Sequence, residues 1–150
     1  MSYEEKTTWV SAVVTALVAG GYTIFIAGRM GSGPVEAIAY QMPLLVAIGA
    51  VIVLAIVGNI LMSISAAVGA EIAEPGSAKD IDRRDERDIH IDRRGELVGY
   101  YVMSAGALGV LALAMLRFDQ FWIANALFLT FMLGGLVASA VKLVAYRRGF

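Results

Sequence analysis

The sequence predicts an all-α fold: an integral membrane four-helix bundle made of two helical hairpins, with the third helix extended into the cytoplasm. Three observations lead to this prediction. The 150-residue chain is 59% hydrophobic. Only 17% of its residues are charged, and they cluster outside four long apolar runs, whereas a soluble domain of this size is about half apolar and about a quarter charged. The stretch 46–61 is apolar on every side, although a helix of a soluble bundle would keep one polar face.

The four apolar runs define the predicted spans. Crossing the hydrocarbon core of a bilayer takes roughly 20 mostly apolar residues. We therefore expect residues 1–150 to form one transmembrane domain, with a charged cytoplasmic segment at 71–96 between the second and third spans. The spans are predicted at about 8–27, 43–70, 97–116 and 121–141.

The connections have distinct characters. Residues 28–34 are rich in glycine, and Pro34 at a first helical position could open a short helix through Tyr40. Residues 117–120 leave room only for a tight hairpin. No proline interrupts 78–116, so we expect one helix there that projects about 25 Å into the cytoplasm.

The placement of basic residues predicts the orientation. Of the 12 Lys and Arg residues, only Arg29 and Arg117 lie in the first and third connections; the others lie at the two ends of the chain and in the segment 71–96. Because basic residues are retained on the cytoplasmic side, we expect a multi-pass plasma membrane protein, such as one of a bacterial inner membrane, with both termini cytoplasmic.

The composition excludes several kinds of chemistry. There is no cysteine, hence no disulfide, thiolate metal site or cysteine nucleophile. The net charge of −1 gives no reason to expect a nucleic-acid partner. His90 is the only histidine, and Asp82 and Glu86 nearby leave it short of the three or four converging ligands of a metal site. We predict no cofactor and no catalytic residues, and an enzyme is the less favoured class.

Two asparagines are the most notable polar residues within the spans. No Asp, Glu, Lys, Arg or His lies deep in any span, although ion and proton pathways usually need one. Asn59 is expected in the inner half and Asn125 near the outer end. Each amide either bonds to a neighbouring helix, the favoured interpretation, or binds a solute.

The charged segment separates its acids from its bases. On a helical wheel the acidic side chains share one arc and the basic ones another. A second copy of the helix could match both stripes around a two-fold axis, which would give a homodimer through 80–96. The favoured interpretation is a solvated helix end that only fixes topology. The acidic residues are Asp85, Asp88, Asp92 and Glu96, and the basic ones are Arg83, Arg87 and Arg94.

The sequence 85–88, D-E-R-D, is followed by Ile91, Gly95, Tyr100 and Tyr101. This pattern resembles a family of uncharacterised small multi-span membrane proteins of bacteria and archaea, which carry a D-E-R-D motif before a transmembrane helix. The tail, 121–149, is similar to actinobacterial members. The resemblance covers mainly 85–148 and implies a membrane protein but no activity.

Three hypotheses on function follow. The first is a non-enzymatic protein that serves in assembly or signalling through its charged cytoplasmic helix, with the lipid bilayer and a second copy as partners. The alternative is a small transporter or channel that acts as a homo-oligomer, with Asn59 and Asn125 along the pathway. The third is an enzyme acting on lipid through Asp85, Glu86, His90 and a metal.

Overall fold

Four long α-helices make up almost all of the described chain. The computed structural model describes residues 3–31, 34–73 and 86–148, and within these ranges it contains no strand. The all-α prediction is therefore confirmed for these residues. The helices are α1 (Tyr3–Met30), α2 (Gln41–Ala73), α3 (Glu86–Met115) and α4 (Gln120–Arg148).

Each helix is longer than the apolar run that it contains. α4 continues to Arg148, although its apolar run ends at about 141. The charged turns at the helix ends stay helical because Glu, Lys and Arg favour the helix almost as well as leucine does. α3 is described from Glu86, so the predicted start at residue 78 lies outside the described residues. By length and composition all four helices could cross a membrane, which suggests a multi-pass membrane protein.

The connection between α1 and α2 contains a shorter helix than the sequence predicts. A single 3₁₀ turn, Val35–Ala37, follows Pro34, and the chain is extended again at Ile38. The amide of Ile38 donates to the carbonyl of Val35 over 3.2 Å, which closes the turn. The helix ends early because the extended chain then directs Ile38 and Tyr40, 8% and 9% exposed, into the core.

The connection between α3 and α4 is the predicted tight hairpin. Arg117 has a φ of 59°, and the amide of Phe118 donates to the carbonyl of Leu113 over 3.1 Å. This is a Schellman C-cap with arginine where glycine is usual. Asp119 then caps α4, since its carboxylate accepts a 2.7 Å hydrogen bond from the amide of Phe121.

The helices pack in the order α2, α1, α4, α3. The α3–α4 hairpin has the most extensive interface, and α1 packs against both α2 and α4. In the described residues α2 and α3 have little contact, so the ring of four helices is open between them. Only 6% of the most apolar stretch of α2 is buried in the chain, which leaves its apolar side chains for another apolar environment.

Small residues allow α3 and α4 to approach closely. A Cβ at Gly99 would lie 2.8 Å from both Cβ of Ala138 and the carbonyl oxygen of Gly134, so only glycine fits there. Gly106 similarly faces Thr130. These contacts are of the small-residue type that brings helices together in lipid.

An aromatic cluster fills the end of the bundle that carries the two hairpin turns, here called the turn end. Phe121 is 1% exposed, and its ring packs edge-on against Tyr40. Tyr22 packs edge-on against Phe128 at 4.9 Å. The opposite end, here called the terminal end, carries the first turns of α1 and the last turns of α4, and it is polar.

Candidate functional site

A polar cavity lies at the terminal end. Its volume is about 340 Å³, and all four helices contribute to its wall. The lining side chains are almost all hydroxyl, amide or charged groups, whereas the core at the turn end is apolar and aromatic. The cavity is lined by Tyr3, Glu4, Thr7, Thr8 and Ser11 of α1, Asn59 of α2, Asp92 of α3, and Ser139 and Lys142 of α4.

An ion pair between α3 and α4 forms one wall of the cavity. The ammonium of Lys142 is bonded to the carboxylate of Asp92 and lies 3.7 Å from a carboxylate oxygen of Glu96. The side chain of Lys142 is 16% exposed and that of Asp92 is 33% exposed. Salt screens the attraction within a partly buried pair less than that within a surface pair. Each of these two charges is therefore stabilised by the other.

A second contact between the same helices lies one turn further out. The hydroxyl of Tyr146 faces the carboxylate of Asp88, which contributes to the raised pKa of the phenol. Tyr146 lies beyond the fourth apolar run, and burial is the main cause that raises its pKa above 10.0; the negative charges of Asp88, Glu4 and Asp92 raise it further. The phenol therefore stays protonated and remains a hydrogen-bond donor.

Hydroxyl groups line the α1 and α2 side. The hydroxyls of Tyr3 and Ser63 are 2.6 Å apart and join the two helices. Thr7 and Thr8 both donate to the carbonyl of Glu4, over 3.0 and 2.8 Å. Because these hydroxyls donate to the backbone, their lone pairs can still accept hydrogen bonds from a molecule in the cavity.

Asn59 offers unused hydrogen-bonding capacity. Its carbonyl accepts a bond from Ser63 over 2.9 Å. Among the residues that the structure describes, no group is hydrogen bonded to its side-chain amide, which lines the cavity. The amide can supply two donor hydrogens and an acceptor oxygen, so it is available to a solute or to water.

Asn125 has a different environment. It is buried at the turn end, where its Oδ1 accepts a 2.6 Å hydrogen bond from Tyr22 and its Nδ2 donates to the carbonyl of Phe121 over 2.7 Å. The bond from Tyr22 joins α1 to α4, whereas the bond to Phe121 lies within α4. The two asparagines therefore lie apart, and only Asn59 contributes to the polar cavity.

The structure separates the two charged stripes. Asp88, Asp92 and Glu96 face α4, with Tyr146 and Lys142 as neighbours. Arg87 and Arg94 lie on the other side of α3 and, with His90, line a groove against α4. Asp85 and Arg83 lie outside the described residues. The acidic stripe thus has partners within its own chain, while pairing of two copies through 80–96 stays a prediction.

Lys142, Tyr146 and Glu4 are not among the site residues predicted from the sequence. A signal for two of them is present in the sequence. In an antiparallel hairpin, residues equally distant from the turn come together, and Asp92 and Lys142 are equally distant from Arg117, as are Asp88 and Tyr146. No comparable signal brings Glu4 of α1 to the same place.

Metal-ligating side chains do not gather in the described part of the chain, where no three Asp, Glu or His residues are close enough to hold an ion. Comparisons with known proteins add nothing to the site. No protein-family model, curated protein or solved structure matches this chain.

Proposed function

We propose that this chain is a multi-pass protein of the plasma membrane, with both termini cytoplasmic, that binds a small ammonium-bearing solute in the polar cavity. This develops the transporter hypothesis of the sequence analysis. The orientation is supported by the basic residues, most of which are at the terminal end or in the segment 71–96. With that orientation the cavity faces the cytoplasm.

The observation that carries the proposal is the ammonium already held in the cavity wall. Asp92 binds the ammonium of Lys142, and Glu96 lies within 3.7 Å of it. Glu4 adds a further carboxylate to the lining. Among the described lining residues carboxylates therefore outnumber ammonium groups, and a solute ammonium would compete with Lys142 for Asp92.

The rest of the lining suits the remainder of such a solute. Hydroxyl groups of Thr7, Ser11 and Ser139, with the amide of Asn59, surround the charged wall. These groups can both donate to and accept from a small polar molecule. The aromatic cluster around Phe121 fills the turn end, so the cavity forms only the cytoplasmic half of a route across the membrane.

Binding can be tested with protonated ethanolamine as the probe. Thermal unfolding of the purified protein in detergent is measured with ethanolammonium chloride, with 1-propanol and with sodium acetate, at equal ionic strength. A ligand that binds only the folded state at 100 times its Kd stabilises it by about 2.7 kcal/mol. We expect stabilisation by the ammonium alone, and its loss in Asp92→Asn. Equal effects of all three solutes, or an unchanged effect in Asp92→Asn, would contradict the proposal.

A further inference from the structure

A basic groove runs between α3 and α4 on the side of α3 away from the polar cavity. Two adjoining cavities of about 260 and 340 Å³ form it, and they share Arg94 and Ala145. Its basic side chains are Arg87, His90 and Arg94 of α3 and Arg148 of α4, all of them exposed. No aspartate or glutamate lines either cavity among the described residues.

The floor of the groove is apolar and follows α4 toward the middle of the bundle. Ile91 and Ala145 lie under the basic side chains, and Ala140, Val141 and Val144 continue the floor. Val144 is 48% exposed. The groove therefore places cationic groups directly beside an apolar strip at the end of the fourth predicted span.

We propose that this groove binds the headgroup of an anionic phospholipid of the inner leaflet, with one acyl chain along Val141 and Val144. The inference rests on the membrane placement proposed above but not on the solute in the cavity. Arginine suits a phosphate oxygen pair because its planar guanidinium can donate two parallel hydrogen bonds. Basic pockets between helices on the cytoplasmic side are a common setting for such headgroups. A free phosphate would match the arginines but not the apolar floor.

The proposal can be tested by native mass spectrometry of the protein in detergent with dioleoyl phosphatidylglycerol or dioleoyl phosphatidylcholine. We expect the anionic lipid to bind at least tenfold more tightly. Each of Arg94→Gln and Arg148→Gln should weaken its binding roughly fivefold, the effect of one basic residue near an anionic surface. The matched control, Arg117→Gln, removes an arginine at the turn end and should leave binding unchanged.

Three further measurements separate the alternatives. Val144→Asn should weaken phosphatidylglycerol binding without changing that of sn-glycerol 3-phosphate, which lacks acyl chains. Equal affinity for the two lipids, or an equal loss in Arg117→Gln, would overturn the proposal. Inorganic phosphate that displaces the lipid completely at low millimolar concentration would also overturn it, because the site would then bind the anion alone. If a variant fails to fold, the preference of the unaltered protein for the anionic lipid still tests the proposal. The outcome of the ethanolammonium experiment does not affect this test, because that experiment concerns the polar cavity.

Discussion

Lys142 of α4 and Asp92 of α3 form an ion pair across the interface of the second hairpin, and each lies equally far along the chain from Arg117 in the turn. The pair therefore follows from the register of the hairpin. It also supplies the charged wall of the cavity, so the same contact stabilises the hairpin and forms part of the candidate site.

Removal of one partner should destabilise the hairpin more than removal of both. In Lys142→Met the carboxylate of Asp92, which is partly buried, loses the ammonium group that binds it. We expect the free energy of unfolding to fall by about 1–3 kcal/mol, less than for a fully buried pair because Asp92 is partly solvated. The measurement is denaturant or thermal unfolding in detergent.

The matched variants complete a double-mutant cycle. Lys142→Arg keeps the positive charge and should stay near the unaltered protein. Lys142→Met combined with Asp92→Asn should recover much of the loss. If the two single substitutions were simply additive, Lys142 and Asp92 would not be coupled, and the pair would not stabilise the hairpin.

Tyr146 should make stability depend on alkaline pH. Burial and nearby carboxylates raise its pKa above 10.0, so the folded state holds the phenolic proton more tightly than the unfolded state does. Its contribution is complete below pH 10 and decreases as the pH rises above 10. The melting temperature of the unaltered protein should therefore fall further between pH 9 and pH 11 than that of Tyr146→Phe. Parallel decreases in the two proteins would show that Tyr146 is not the group responsible.

Gly99 should tolerate no side chain. A methyl group there would lie 2.8 Å from Cβ of Ala138, so Gly99→Ala must separate α3 from α4. Overpacking of this kind costs about 1–3 kcal/mol. Gly109, in the same helix, has nothing within 4 Å of the equivalent position, and Gly109→Ala should be neutral or stabilising by up to about 1 kcal/mol. Equal unfolding midpoints for the two variants would contradict this packing.

Crosslinking in native membranes tests the predicted homodimer. The chain has no cysteine, so a single introduced cysteine reports on one position. We expect no dimer adduct from Asp92→Cys, because Asp92 faces Lys142 of its own chain. A disulfide-linked dimer from Arg87→Cys would place two copies together on the basic side of α3. A dimer from Asp92→Cys would show that the acidic stripe meets a second copy.

Much of the fold could be predicted from the sequence because lipid-compatible helices need long apolar runs, and four such runs are present. Hydropathy could not show where each helix ends, since turns that carry charged residues, such as the last two of α4, are helical as well. It also could not show that the ring is open between α2 and α3. Which helices lie side by side depends on side-chain fit, such as Gly99 of α3 against Ala138 of α4, and composition does not reveal that fit.

Less of the candidate site can be predicted from the sequence. Asn59 is a candidate because an amide in an apolar run needs a hydrogen-bond partner. The acidic stripe is visible in the sequence, but the neighbours of Asp88 and Asp92 within the chain, Tyr146 and Lys142, come from a helix 50 or more residues away. The hydrogen bond from Tyr22 to Asn125 likewise joins two helices, and the sequence does not show that α1 and α4 are neighbours.

We propose that the polar cavity of this four-span protein is filled with water and open to the cytoplasm. Labelling of Asn59→Cys with a membrane-impermeant cationic methanethiosulfonate, in vesicles of known orientation, tests this proposal. Val53→Cys, on an exposed apolar part of α2, and Met30→Cys, at the turn end, are the controls. We predict rapid labelling of Asn59→Cys from the cytoplasmic face only, none of Val53→Cys, and labelling of Met30→Cys from the outer face only. Labelling of Asn59→Cys from the outer face would contradict the proposal. Labelling of Asn59→Cys that is no faster than that of Val53→Cys would contradict it as well.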